Sequence, residues 1–167
     1  MGLFDRLTGT RYPDAGVAPL SATEVRAALL AFNGPDVPYR VRGGLPEEKA
    51  DLVAEWRMVR SVVGSVPRKQ LERTFKIRMR LVPQKHEVRA LDEQWKVTRV
   101  GDSQGLVVAR EYGRGPAPSR SWTYERGPDG RRRMVERTGV GPQEMKNPLR
   151  DAVLGAGWTW RGVLNKP

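Results

Sequence analysis

Nine residues, Thr74-Phe-Lys-Ile-Arg-Met-Arg-Leu-Val82, alternate without a slip, and no other stretch constrains the fold as strongly. Phe75, Ile77, Met79 and Leu81 fall on one side, and Lys76, Arg78 and Arg80 on the other. A period of two is what a half-buried strand requires, because successive side chains point to opposite faces of a sheet. Pro83-Gln-Lys85 supplies a turn and a second extended run begins at Glu87, so Thr74–Arg99 reads as a hairpin with one apolar and one cationic face. In the second arm Val88 and Ala90 share one phase, while Leu91, Trp95 and Val97 share the other. That change predicts a bulge near Asp92-Glu93, since one extra residue flips every later side chain.

The flanking segments fit one α+β domain over residues 1–167. Residues 1–19 are turn-rich and predict an irregular segment, with Leu3, Phe4 and Leu7 packed on the body as a short turn. Ser21 and Glu24 have the capping-box spacing, and Val25, Ala28, Leu29 and Phe32 follow helical spacing, which predicts a helix over 21–33. Tyr39–Arg42 reads as a strand. Over 51–60 two periods compete: Leu52, Ala54, Trp56 and Met58 alternate, whereas Leu52, Trp56, Val59 and Val63 fit a helix. The Gly43-Gly44 turn before it favours a strand paired with Tyr39–Arg42. Further strands are expected at 106–112, 120–126 and 131–138, and Asn147-Pro148 signals a helix over 147–156. Trp158 and Trp160, in phase, are expected to close the core as aromatic anchors. The sum is a twisted antiparallel sheet of six to seven strands, with the helices of 21–33 and 147–156 on its apolar face.

Charge is the main compositional signal, with 30 basic against 19 acidic residues and a net +11. Residues 68–137 hold 18 basic and 9 acidic residues, so the excess belongs to the strand-rich middle. Such a field attracts nucleic acid, anionic lipid or acidic protein. Lys76, Arg78, Arg80, Arg89, Lys96, Arg131, Arg132 and Arg133 are the candidate contacts for an anionic partner, nucleic acid first among them. Charged strand faces are ordinarily just wet, so charge alone names no partner. Phe75, Trp95, Trp122 and Tyr124 fall mostly out of phase with the cations, which assigns them to the core rather than to base stacking. An anionic small ligand or lipid head group held by a curved sheet is the alternative.

Catalytic signals are sparse. There is no cysteine, which excludes disulfides, thiolate metal sites and a cysteine nucleophile. The single histidine, His86, sits at the hairpin turn between charged residues, where a solvated side chain is expected. No carboxylates cluster at metal-ligand spacing and no phosphate-binding loop occurs, so neither metal nor cofactor is expected. An enzyme would have to work through Asp92, Glu93 or His86, and the acidic pair at a strand break reads more simply as an edge device. No apolar run approaches the ~20 residues that cross a bilayer, and Met1–Leu7 lacks a signal-peptide pattern, which predicts a cytoplasmic protein.

Four segments taken together, Tyr39-Arg-Val-Arg-Gly-Gly44, Glu48-Lys-Ala-Asp-Leu-Val-Ala-Glu-Trp56, Lys85-His-Glu-Val-Arg-Ala-Leu-Asp92 and Gly157-Trp-Thr-Trp-Arg-Gly-Val163, carry a resemblance. Their order resembles a family of conserved bacterial proteins, mostly actinobacterial, of uncharacterised function. The resemblance implies a bacterial cytoplasmic protein and brings no activity, cofactor or site residue with it.

Overall fold

The computed structural model describes residues 2–64, 66, 68–101, 107–111, 120–126, 132–138 and 142–167, the segments between 107 and 138 by their backbone. The fold is α+β: three helices and an open, mostly antiparallel sheet. The helices are α1 (Leu3–Thr8), α2 (Ala22–Leu30) and α3 (Pro142–Gly155). The strands are β1 (Arg40–Gly43), β2 (Leu52–Val62), β3 (Lys69–Val82), β4 (Glu87–Val100), β5 (Val107–Glu111), β6 (Arg120–Arg126), β7 (Arg132–Thr138) and β8 (Thr159–Val163). Strands β1 to β5 lie side by side in chain order, and β6 and β7 form a separate hairpin. Strand β8 runs parallel to β4 along Glu87–Leu91, while β5 runs antiparallel to it along Gln94–Thr98.

The competition over 51–60 resolves as a strand. Leu52, Ala54 and Trp56 are buried in the same cluster as Phe75, Ile77, Met79, Val88 and Ala90. Val25 and Leu29 of α2, and Met145, Leu149 and Val153 of α3, belong to that cluster, so both helices pack on this face of the sheet. Trp158 and Trp160 complete it, both essentially inaccessible to solvent. The Ser21 capping box forms as its spacing requires, with Glu24 accepting from the Ser21 N–H at 2.9 Å.

Four local expectations are corrected. The β3–β4 register runs unbroken from Lys69↔Val100 to Val82↔Glu87, so no bulge occurs at Asp92-Glu93. The phase change instead marks a strand buried on both faces: Val88 and Ala90 lie under the helices, and Leu91 is buried on the other face beside Arg78 and Val163. On the side of β4 away from β3, β8 pairs only up to Leu91 and β5 only from Gln94, so Asp92 and Glu93 stand in the gap between those two neighbours. Helix α3 starts at Pro142 rather than Asn147, with Pro148 inside it. Burying Met145 one turn before Leu149 offsets the hydrogen bond that Pro148 cannot donate. Helix α2 ends at Leu30, short of 33, where Asn33 takes another role.

The fourth correction concerns the N-terminus. Residues 3–8 are helical, yet Leu3, Phe4 and Leu7 remain 76%, 79% and 61% exposed rather than packed. What ties this segment down is backbone. Arg11 and Trp160 exchange two hydrogen bonds of 2.8 and 2.9 Å. Gly162 permits the approach, since a Cβ there would meet the Thr8 carbonyl oxygen at 1.7 Å.

Strand β1 forms one edge of the sheet, and one side chain closes it. Asn33 Nδ2 donates to the Val41 carbonyl at 2.6 Å while the Val41 N–H donates to Asn33 Oδ1 at 2.8 Å. The amide thus does for one residue what a neighbouring strand would do. Replacing Asn33→Ala leaves two partly buried backbone groups unpaired and is expected to lower stability by about 2 kcal/mol in urea unfolding. Asn33→Asp, which keeps the acceptor and loses the donor, should recover part of it.

Candidate anionic-partner interface

The two faces of the sheet handle charge differently, and neither does so as the strand pattern suggests. On the face away from the helices two cations of β3, Lys76 and Arg78, are neutralised from within. The loop after β1 folds back over the sheet, which Gly44 allows because a Cβ there would meet the Ala50 carbonyl oxygen at 2.0 Å. A 3-10 turn, Pro46–Glu48, then delivers Glu48 into the middle of the charged residues. Its carboxylate accepts from Arg42 through two bonds of 2.8 Å, from Lys76 at 3.1 Å and from the Leu45 N–H at 2.8 Å. Its carbonyl accepts from Arg78 at 2.7 Å. Arg78 also donates to Glu93 at 2.6 Å, and Lys76 lies 5.2 Å from the centre of the Trp95 ring. The Arg42 guanidinium, with the Leu45 N–H and Lys76, outweighs burial and holds the Glu48 carboxyl at about 2.

A second cluster stands beside it. Glu87, almost wholly buried, accepts from Arg89 and Arg161, each at 2.8 Å. Burial pushes its carboxyl upward, but those two guanidinium groups prevail and the net shift is downward. Further out, Glu72 accepts from Arg57 at 2.7 Å and approaches Arg99 at 3.7 Å.

Three of the expected partner contacts, Lys76, Arg78 and Arg89, are therefore engaged by carboxylates of the same chain. Arg80 is exposed beside Gly44 and Asp51. Lys96 lies on the opposite face from Lys76. Arg131 falls outside the described residues, and Arg132 and Arg133 are described by backbone alone. Trp95, assigned to the core from its phase, stands on the ion-paired face instead.

The helix side of the sheet changes character beyond the row Trp56, Phe75, Gln94. Three further rows follow in register: Met58, Arg73, Lys96; then Arg60, Leu71, Thr98; then Val62, Lys69, Val100. Four cations thus share a surface whose three rows hold no carboxylate. Among the described residues Arg60, Arg73 and Lys96 make no ion pair. Arg73 and Lys96 stand directly opposite one another, an arrangement that costs stability when nothing lies between the charges. Another like-charged pair, Arg80 and Arg89, differs in that Glu87 neutralises Arg89.

No family model, curated protein or solved structure matches this chain. The site therefore rests on its own geometry.

That geometry gives little to a reaction. Asp92 and Glu93 point to opposite faces of β4, Asp92 to Lys146 of α3 and Glu93 to Arg78, so they form no acid–base pair. His86 is exposed in a left-handed turn, its ring edge against Trp158. Among the described residues no group of three metal-ligating side chains occurs, and no helix is long and apolar enough to cross a membrane. A cleft of about 720 Å³ beside β1 carries Arg40, Arg42 and Arg57, but Glu48 and Glu72 already hold the last two.

Alternation in the sequence is enough to separate Arg73 from Arg78, since they differ in parity. What it lacks is Glu48, whose partners Lys76 and Arg78 lie 28 and 30 residues away and share no pattern with it.

Proposed function

We propose that this chain is a non-enzymatic binding protein that engages a polyanionic partner through the helix-side face of its outer strands. The observation that carries the reading is the set Arg60, Arg73 and Lys96, with Lys69 alongside, on three rows without a carboxylate. On the other face glutamates hold Arg42, Arg57, Lys76, Arg78, Arg89 and Arg161. Here Arg60, Arg73 and Lys96 make no ion pair among the described residues, and Arg73 and Lys96 form a like-charge pair. A polyanion supplies the missing countercharge. The contact residues are accordingly Arg60, Lys69, Arg73 and Lys96 rather than Lys76, Arg78 and Arg89. We place the protein in the bacterial cytoplasm, following the resemblance of its segments.

Nucleic acid shares this chemistry, yet the face is poorly built to read it. Its three rows carry no aromatic side chain for stacking. Four adjacent strands span roughly 14 Å before side chains are counted, too wide to enter a major groove about 12 Å across. Contact with a nucleic acid would reach phosphates alone.

Retention on heparin, a generic polyanion, tests the reading. The double reversal Arg73→Glu with Lys96→Glu should elute at much lower salt than the parent, because it changes four units of charge while keeping a like-charge pair and hence the stability. Arg57→Gln with Arg99→Gln, on the ion-paired face, should elute close to the parent. The single change Arg73→Glu creates a cross-strand pair with Lys96 and is expected to raise stability by up to about 1 kcal/mol while weakening retention. Equal elution of both double variants would discard this face as the site.

A further inference from the structure

The end of the β2–β3 hairpin adds an apolar element to the cationic one. Val63 and Val66 are 97% and 98% exposed, and Val62 is exposed beside them. Gly64, at φ 81°, turns the chain between the first two. Arg60, Arg68 and Lys69 surround this tip, all of them exposed. Arg73 and Lys96 lie one step back, about 13 Å along the strand from Lys69. An apolar point inside a cationic collar has two complements. A nucleic acid answers the collar and gives aliphatic side chains nothing to enter except a base stack that must first be opened. A bilayer with anionic head groups answers both, taking the valines into the acyl boundary and the cations among the phosphates.

We infer that the polyanionic partner is an anionic lipid bilayer surface, entered by the hairpin tip at Val63 and Val66 and held by Arg60, Arg68, Lys69, Arg73 and Lys96. This rests on the proposed polyanion-binding face and names its partner. Attachment is peripheral and reversible: two valines reach only the interface, and the cations act within a Debye length of about 10 Å at 0.1 M salt. Binding accordingly weakens as salt rises, and neutral lipid does not support it.

Sedimentation with vesicles is the test, comparing phosphatidylglycerol-containing vesicles with pure phosphatidylcholine. The parent should partition onto the anionic vesicles alone. Arg73→Glu with Lys96→Glu should bind more weakly, by less than the roughly fivefold per unit of charge that a cation at the surface gives, because both lie about 13 Å behind Lys69. Val63→Ser with Val66→Ser, both at exposed positions and so harmless to folding, should lose about tenfold while keeping its heparin retention. Because the chain has no cysteine, Val63→Cys can carry a single polarity-sensitive dye, whose emission should shift to the blue on anionic vesicles. Anionic vesicles bound without that shift, or equally well by the serine variant, would overturn the role of the tip. Heparin retention with no vesicle binding, or displacement by duplex DNA from vesicles that the dye never enters, would overturn the lipid partner and leave the polyanion face standing. Loss of neither retention nor vesicle binding in the charge-reversed variant would overturn both.

Discussion

Replacing Glu48→Ala is expected to lower stability by about 3–5 kcal/mol, as breaking a buried ion pair does when the partner charge stays behind. Glu48 is 9% exposed and accepts from two cationic side chains and a backbone N–H. Its removal leaves Arg42 with the more distant Glu55 at 3.4 Å and Lys76 with the same carboxylate at 3.7 Å. One glutamate cannot replace another at those distances. Thermal or urea unfolding measures the loss, and Glu48→Gln, which keeps the acceptor and removes the charge, should fall between. The pH dependence gives the same interaction a second readout. The carboxyl lies at about 2 in the folded protein against an ordinary 4.5. A depressed carboxyl stabilises at pH above its unfolded value and loses that contribution as pH falls through the folded one. About 3 kcal/mol should therefore disappear between pH 4.5 and pH 2. Glu72 and Glu87 shift in the same direction and steepen the acid limb. In Glu48→Gln the limb should become shallower by the Glu48 share; an unchanged acid limb would discard the assignment.

Asp92→Ala is expected to cost as much, for the opposite reason in space. Asp92 is on the helix side of β4 and receives the Lys146 ammonium of α3, which is nearly inaccessible to solvent. Deleting the carboxylate leaves that buried ammonium without its partner, so a loss of about 3–5 kcal/mol should appear in unfolding experiments. Removing both charges tells whether the pair itself stabilises. Asp92→Leu with Lys146→Met replaces the pair by apolar groups of similar volume and should restore most of the loss, possession of a buried charge being what destabilises the single variant. If the double variant is as unstable as Asp92→Ala, the pair fixes the seat of α3 through its geometry and not through charge balance.

The two pairs also show where a strand pattern carries information and where it stops. Period-two alternation survives in β3 because one of its faces meets a core and the other meets charge. It survives at Trp158 and Trp160 for the same reason. In β4 it fails: Ala90 is buried on one face and Leu91 on the other, so the phase shift mimics an inserted residue that is not there. The boundary of α3 was hidden by Asn147-Pro148, a strong start signal that the burial of Met145 overrides. Glu48 was invisible because a loop brings it over the sheet, and neither composition nor spacing encodes that crossing. The uncompensated face lies between these cases. Arg73 has the parity of Phe75, so its side was legible, but the lack of a carboxylate on its row and the next two needed the register of all three strands.

The contact between the segment around Arg11 and strand β8 bears on when this protein can become itself. The Trp158 indole N–H donates to the Leu20 carbonyl across 138 residues, and the Gly162 N–H to Thr10 across 152. Trp160, at the centre of the core, is paired with Arg11 on one side and Val88 on the other. A ribosome must therefore release residue 162 before the region near residue 10 finds its place. Until then β4 lacks its parallel neighbour and the core lacks two tryptophans. Contacts of such long range are formed late and slowly. The sheet can be half assembled during synthesis, but the domain closes only in one final step, with the segment around Arg11 joined to its last strand.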